Sequence, residues 1–170
     1  PFAARIVGEG PLRPELEKLA GHLGIAAHVT FTGHLPQHEV WNALGWADVL
    51  LHTGVIAPSG DRDGLPNVIP EAMSIGVLVV TSPAAATTEA ITQGITGLVA
   101  PVDLPADWVA ALRRFASDDA FAEKIRTAAR RWVEENFDAH KNARRLLSHF
   151  ERVIAAQAAA PNPPLTVAGS

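Results

Sequence analysis

The chain has 170 residues, enough for one domain of ordinary size or one domain with a tail. Hydrophobic residues are 48% and charged residues 19%, which suits a folded core and excludes a disordered chain. With 14 Lys and Arg against 18 Asp and Glu, the net charge of -4 argues against a nucleic-acid partner, and the absence of Cys excludes disulfides, thiolate metal sites and cysteine nucleophiles.

The chain reads as alternating short strands and longer helices. Ala4-Arg5-Ile6-Val7 is a strand stopped by Gly8-Glu9-Gly10-Pro11. A helix over 14–23 follows, with Leu16, Leu19, Ala20 and Leu23 on its inward face. His28-Val29-Thr30-Phe31-Thr32 is the second strand, closed by Gly33, and a helix over 39–47 turns Val40, Leu44 and Ala47 inward. Asp48-Val49-Leu50-Leu51-His52 is the third strand. A polar loop over 57–64 leads into a helix ending at Gly76. Val77-Leu78-Val79-Val80 is the fourth strand, apolar at successive positions and therefore buried on both faces. A short helix over 89–93, a fifth strand Gly97-Leu98-Val99-Ala100, and helices over 107–115, 121–136 and 140–157 complete residues 1–157. Residues 158–170, with Pro161, Pro163 and Pro164, read as a flexible tail.

Strands separated by helices imply parallel pairing through right-handed crossovers, hence a Rossmann-like, doubly wound α/β domain. Such sheets hold ligands at the carboxyl ends of their strands. The candidate loops are therefore 8–11, 33–36, 53–66 and 81–89.

The segment richest in chemistry is Gly60-Asp61-Arg62-Asp63-Gly64-Leu65-Pro66-Asn67-Val68-Ile69-Pro70-Glu71-Ala72-Met73. Gly64 and Pro66 sit where a loop becomes a helix, and a helix start offers unpaired N–H groups and partial positive charge to a phosphate. Asp63 and Glu71 have seven residues between them. Two carboxylates flanking one ligand accept hydrogen bonds from sugar hydroxyls. Phosphate beside amides and hydroxyls beside acids suggest a nucleotide-sugar. Spacing alone leaves a bland alternative open, in which the acids merely complement the helix dipole.

The wider pattern favours the first reading. Arg5-Ile6-Val7-Gly8-Glu9-Gly10-Pro11-Leu12, Val29-Thr30-Phe31-Thr32-Gly33, Ala47-Asp48-Val49, Asp63-Gly64-Leu65-Pro66-Asn67-Val68 with Glu71-Ala72-Met73, Gly76-Val77-Leu78-Val79-Val80-Thr81, Glu89-Ala90-Ile91 and Gly94-x-x-Gly97-Leu98-Val99-x-Pro101 follow in that order. Over residues 5–155 this series resembles the C-terminal, donor-binding domain of the family-4 (group 1) retaining glycosyltransferases, which have the GT-B arrangement of two Rossmann-like domains.

The resemblance implies a role for each matched position. Asp63, one methylene shorter than the family's usual Glu, would contact the donor sugar and organise the reacting centre. Glu71 would bind the ribose hydroxyls. The backbone around Gly64, Leu65, Pro66 and Asn67 would face the diphosphate, although Pro66 has no N–H. Gly33, His34 and Leu35 would lie against the nucleobase, and Gly8 and Gly10 would shape the neighbouring loop. No cofactor or metal is needed, the nucleotide-sugar being the substrate. The acceptor would be a saccharide or a lipid-linked sugar, and the absence of a signal peptide or bilayer-length apolar run points to the cytoplasm, extended by lipid-linked acceptors to the inner membrane face.

Some positions depart from the family. Pro70 stands where an aliphatic residue is usual, which predicts a helix starting near Asn67 with Pro70 in its first turn. Thr53-Gly54 replaces Pro-Ser, and Ala86-Thr87-Thr88 replaces a Gly-x-Pro-like stretch. The family's domain begins one βα unit earlier, with an Arg and a Lys that clamp the diphosphate. That absent first strand would be central, so either the chain is a fragment or its remaining strands close the gap. The expectation is that this chain alone does not catalyse transfer and that the N-terminal acceptor domain lies outside it.

Other readings are weaker. Asp61-Arg62-Asp63 spells the metal-binding Asp-x-Asp of the GT-A fold, but it precedes a helix start that needs no metal. Gly8-Glu9-Gly10-Pro11 lacks the third glycine of a dinucleotide fingerprint. The seven His form no helical ligand pair, since Pro36 separates His34 from His38. Trp41, Trp46, Trp108 and Trp132 read as core or helix-packing residues. The alternative from another class is a non-catalytic nucleotide-binding or structural module that partners a separate acceptor domain.

Overall fold

The computed structural model describes residues 2–56, 59–60, 64–84 and 86–159. In chain order the elements are β1 (Ala4–Val7), α1 (Arg13–His22), a 3-10 turn (Ala26–His28), β2 (Val29–Gly33), α2 (Gln37–Trp46), β3 (Val49–His52), α3 (Val68–Ser74), β4 (Leu78–Thr81), α4 (Thr87–Ala90), β5 (Leu98–Val99), α5 (Pro105–Ser117), α6 (Asp119–Asn136) and α7 (Ala139–Ala159). The order is the one read from the sequence, with ends shifted by one to a few residues. α4 differs most, since it starts at Thr87 and stops at Ala90. The tail expected from 158 begins inside α7, and residues 160–170 lie outside the described set.

Every strand pair is parallel. The physical centre is β4, whose four residues are all buried. Its side chains alternate between two cores, as the period of two requires. Val79, with Val77 just before the strand, packs with Leu44, Ile69, Ala72, Met73, Ala90, Ile91 and Ala129. Leu78 and Val80 pack with Leu98, Ala100, Ala111, Phe115, Ala122 and Ile125. The unbroken apolar run of β4 is therefore the signature of a strand covered on both sides.

α6 closes this half of the molecule. Asp118 caps it, its Oδ1 accepting from the Phe121 amide at 2.9 Å. Two of its arginines reach back to the C-terminal end of α3. Arg126 Nε donates to the Gly76 carbonyl at 3.1 Å, and Arg130 Nη1 to the Ser74 carbonyl at 2.6 Å. The Ser74 carbonyl is one that the helix end leaves without an intrahelical partner, and the Gly76 carbonyl lies in the turn just beyond it.

Among the described residues the strands form two sheets, β1–β2 and β3–β4–β5, and no ladder joins them. The expected single doubly wound sheet is thus interrupted, and the strands present do not close the break. Its consequence is visible in burial. Leu16, Leu19 and Leu23, read as the inward face of α1, are 41%, 51% and 61% exposed, and of that face only Ala20 is buried. Ile6 and Val7 of β1 and Leu51 of β3 are exposed as well. A two-stranded sheet with one helix lacks the second layer that would cover these side chains.

Two of the tryptophans also differ from expectation. Trp108 and Trp132 are half-buried, the first donating its indole N–H to the Pro101 carbonyl at 2.8 Å and the second packing on the Val79 side of the core. Trp41 and Trp46 are exposed instead, because α2 faces the core only through Val40, Leu44 and Ala47. Trp46 is covered by the guanidinium of Arg5, 4.0 Å from its ring centroid.

Among the described residues no helix is long and apolar enough to cross a membrane. α7 is amphipathic but unpacked: Leu146, Leu147, Phe150, Val153 and Ile154 share one face and are all exposed.

Candidate functional site

The carboxyl ends of parallel strands point one way, so the loops that follow β1, β2, β3 and β4 are brought to one edge of their sheets. The first two are tied together. The Gly8 amide donates to the Gly33 carbonyl at 2.9 Å, an isolated antiparallel bridge just past the last pair of the parallel β1–β2 ladder. Gly8 and Gly10 are both exposed, and the Gly10 carbonyl accepts from the Arg13 amide at 3.2 Å as α1 begins.

Arg13 holds this corner. Its guanidinium meets Glu9 at 2.6 Å and Glu17 at 2.8 Å, and donates to the Phe31 carbonyl at 3.3 Å. The Glu17 hydrogen bond, then the nearby negative charges, raise its pKa against the opposing effect of burial. The carboxylates are solvent-facing, so the pairs fix geometry more than they stabilise the fold.

Gly33 is buried, with φ at +74°. A Cβ there would lie 2.6 Å from Glu9 Oε1 and 3.3 Å from Arg13 Nη1. The left-handed backbone calls for glycine at this point, while the Glu9 and Arg13 side-chain ends can shift to admit a Cβ. The chain then passes exposed His34 and half-buried Leu35 to Pro36, whose extended conformation starts α2.

Of the two acids, Asp63 lies outside the described residues, as do Asp61 and Arg62. Glu71 is described. Gly64 is exposed, Leu65 and Pro66 are half-buried, and Leu65 packs against the core that holds Ile69 and Met73. Asn67 is the exposed N-cap of α3. The Ile69 amide donates to the Pro66 carbonyl at 3.0 Å and the Glu71 amide to the Asn67 carbonyl at 3.1 Å. Pro70 therefore falls in the first turn, as its place in the sequence predicts, where its missing N–H costs little. The N–H groups that precede these bonds belong to Gly64, Leu65, Asn67 and Val68.

Glu71 is half-buried, and its Oε1 accepts from Nε2 of Gln37 at 3.1 Å. Gln37 is the first residue of α2, directly after the 33–36 loop. The structure thus sets Gln37, two residues past the segment expected to meet a nucleobase, beside the carboxylate expected to meet a ribose.

The loop after β4 is built from buried hydroxyls. Ser82 Oγ donates to the Gly54 carbonyl in a short hydrogen bond, pinning this loop to the one after β3. Thr81 Oγ1 lies 3.3 Å from Nδ1 of His52. Thr87 Oγ1 donates to the carbonyls of Ser82 and Ala84, so the stretch that departs from the family's Gly-x-Pro is ordered by its own threonine. Sequence reasoning missed Gln37, which carries no local signal. It also missed Ser82 and Thr87, which a hydroxyl just ahead of a short helix does hint at. No group of three or more His, Asp or Glu among the described residues is arranged to hold a metal ion.

The chain matches the family described as Glycosyl transferases group 1 over residues 1–132. It belongs to the group 1 glycosyltransferases. Its relatives include the amylovoran biosynthesis glycosyltransferase AmsK of Erwinia amylovora, 31% identical over 152 residues, which are 89% of this chain and 37% of that protein. The putative colanic acid biosynthesis glycosyltransferase WcaL of Salmonella typhimurium is 29% identical over 153 residues, 89% of this chain and 38% of that one. This glycosyltransferase chain thus spans less than two-fifths of the curated relatives it matches.

Among solved structures, Anabaena Alr3699/HepE in complex with UDP superposes with a TM-score of 0.76 at 20% identity, over 89% of this chain and 41% of that one. The superposition shows the α/β fold of the GT-B glycosyltransferases.

Proposed function

We propose that this chain is the donor-binding part of a retaining glycosyltransferase that moves a sugar from a nucleotide-sugar to an acceptor hydroxyl. The observation that carries the reading is the meeting of Glu71 with the start of α2. Gln37, which directly follows the 33–36 loop expected to border the base, shares a hydrogen bond across 34 residues of chain with the carboxylate expected to meet the ribose.

In this reading the nucleobase lies against Gly33, His34 and Leu35. Glu71 accepts from the ribose hydroxyls. The diphosphate faces the backbone of Gly64, Leu65 and Asn67 at the start of α3, with Pro66 fixing the turn, and Gly8 and Gly10 leave room on the other side. The departing diphosphate carries the charge that builds up in the transition state, and preoriented amides stabilise it without reorganising at the moment of reaction. Asp63 orients the donor sugar, so its effect falls on the chemical step.

The acceptor domain, and a basic clamp on the diphosphate, are supplied outside these residues, and this chain by itself does not turn over. No divalent metal takes part. The acceptor is a saccharide or a lipid-linked sugar, reached in the cytoplasm or at the inner face of a membrane.

Calorimetric titration with a panel of nucleoside diphosphates and their sugars, with and without a chelator, tests the reading. Binding of at least one nucleotide that the chelator leaves unchanged is expected, without measurable transfer. Failure to bind any member of the panel would favour a purely structural module, and chelator-sensitive binding would favour a metal-held diphosphate.

A further inference from the structure

Gln37 is unlike its neighbours at the site. It is an exposed side chain on the first turn of α2, yet its amide is directed across to another element, onto the one described carboxylate in the α3 start segment. Several constraints aim it there. Pro36 holds φ at -66° and ψ at 157°, and its carbonyl accepts from the Glu39 amide at 2.9 Å and the Val40 amide at 3.1 Å, so the backbone at residue 37 is fixed in a helical first turn. α2 is in turn anchored by Leu44, 5% exposed in the Val79-side core, and α3 by Ile69, Ala72 and Met73 in the same core. Both ends of the Gln37–Glu71 bond thus stand on rigid, jointly packed helices.

A carboxylate accepts several hydrogen bonds through its two oxygens. With Oε1 engaged by Gln37, the carboxylate plane is restricted and Oε2 is left to meet a ligand. We infer that Gln37 is a positioning residue that orients Glu71 for the 2′- and 3′-hydroxyls of the ribose, and so couples the nucleobase loop to ribose recognition. The inference rests on the assignment of Glu71 to the ribose made above. Gln37 touches no ligand in this scheme. Its effect passes through the carboxylate, so it confers discrimination between nucleotides with and without ribose hydroxyls.

The test is calorimetric titration of the full chain with UDP and GDP, each against its 2′,3′-dideoxy counterpart. The parent prefers the ribonucleotide. Gln37→Ala lowers that preference about fivefold, the loss of one hydrogen bond, while affinity for the dideoxy nucleotide stays as it was. Gln37→Glu keeps the size of the side chain, removes the donor and sets a like charge beside Glu71, so it lowers the preference further. In a Glu71→Ala background, Gln37→Ala has no added effect, and the urea midpoint of both single variants matches the parent. Equal weakening of both nucleotides, or an unchanged preference in both variants, overturns the role of Gln37 and leaves Glu71 standing. A parent that binds neither ribonucleotide, or binds ribo and dideoxy forms alike, overturns the assignment of Glu71 and this inference with it.

Discussion

The hydroxyl of Thr87 donates to the carbonyl of Ser82 at 2.9 Å and is shared with that of Ala84 at 2.8 Å. Thr87 and Ser82 are both 1% exposed, so water does not replace these bonds. Each carbonyl keeps one longer contact without the Thr87 hydroxyl, Thr81 Oγ1 on Ser82 at 3.3 Å and the Thr87 amide on Ala84 at 3.4 Å. Thr87→Val keeps the side-chain shape and removes only the hydroxyl donor, and is expected to destabilise the chain by about 1 kcal/mol, the net worth of a hydrogen bond. Thr87→Ser should recover most of that loss. Urea unfolding of the three proteins gives the comparison, and a valine variant as stable as the parent would show that the loop does not depend on this hydroxyl.

Burial is concentrated around β4, and the two halves of the chain should answer truncation differently. Ile125 is fully buried among Leu78, Val80 and Leu98, so Ile125→Ala removes transfer energy and opens a cavity, at about 2–5 kcal/mol. Leu16 is 41% exposed on α1, and Leu16→Ala is expected to cost about 0.5 kcal/mol or less. Comparable losses at the two positions would mean that α1 is covered in solution by something that packs on Leu16.

The two acids divide their work in the proposed scheme. Glu71→Ala should weaken nucleotide binding about tenfold, as expected for lost hydrogen bonds to a charged acceptor. Asp63→Ala, made in a protein that also carries an acceptor domain, should lower kcat far more than it changes the Kd for nucleoside diphosphate. The measurements are a titration and a steady-state assay on each variant. Parallel losses of binding and turnover in both variants would end the division of roles.

Asp138 starts α7. Its Oδ1 accepts from the Lys141 amide at 2.8 Å, and that backbone bond, followed by the nearby Lys141 and His140, holds its pKa below the ordinary carboxylate value despite partial desolvation. A depressed native pKa stabilises the fold above the unfolded value of about 3.9 and loses that contribution as the pH falls through the lower native value. The far-ultraviolet helix signal should therefore fall in acid more for the parent than for Asp138→Asn, which accepts the same bond without titrating. Superimposable acid titrations would remove the charged cap from the account of α7.

How far the sequence reached is clearest at β4 and α3. Four successive apolar residues, three of them Val, directly after Gly76 read as a short strand covered on both faces, and that places the core without coordinates. Pro70 fixes the start of α3, because a residue without an N–H is tolerated in the first turn and not beyond it. The ordered motifs from Arg5 to Pro101 identify the family, since each records a turn or a helix start that this fold requires. All of these are local properties of the backbone, and local chemistry is written along the chain.

Contact across the chain is not written there. The spacing of Leu16, Leu19 and Leu23 marks one side of α1 as apolar but does not say whether anything covers it, and the break between the two sheets leaves it open. Trp41 and Trp46 have the same composition signal as Trp108 and Trp132 and end up at the surface. Gln37 meets Glu71, and Ser82 meets Gly54, because the packing of α2 and α3 on a common core and the pairing of β3 with β4 bring distant loops together. Periodicity gives each element its inner side; only the assembled layers fix which side chains from different elements come within hydrogen-bonding distance.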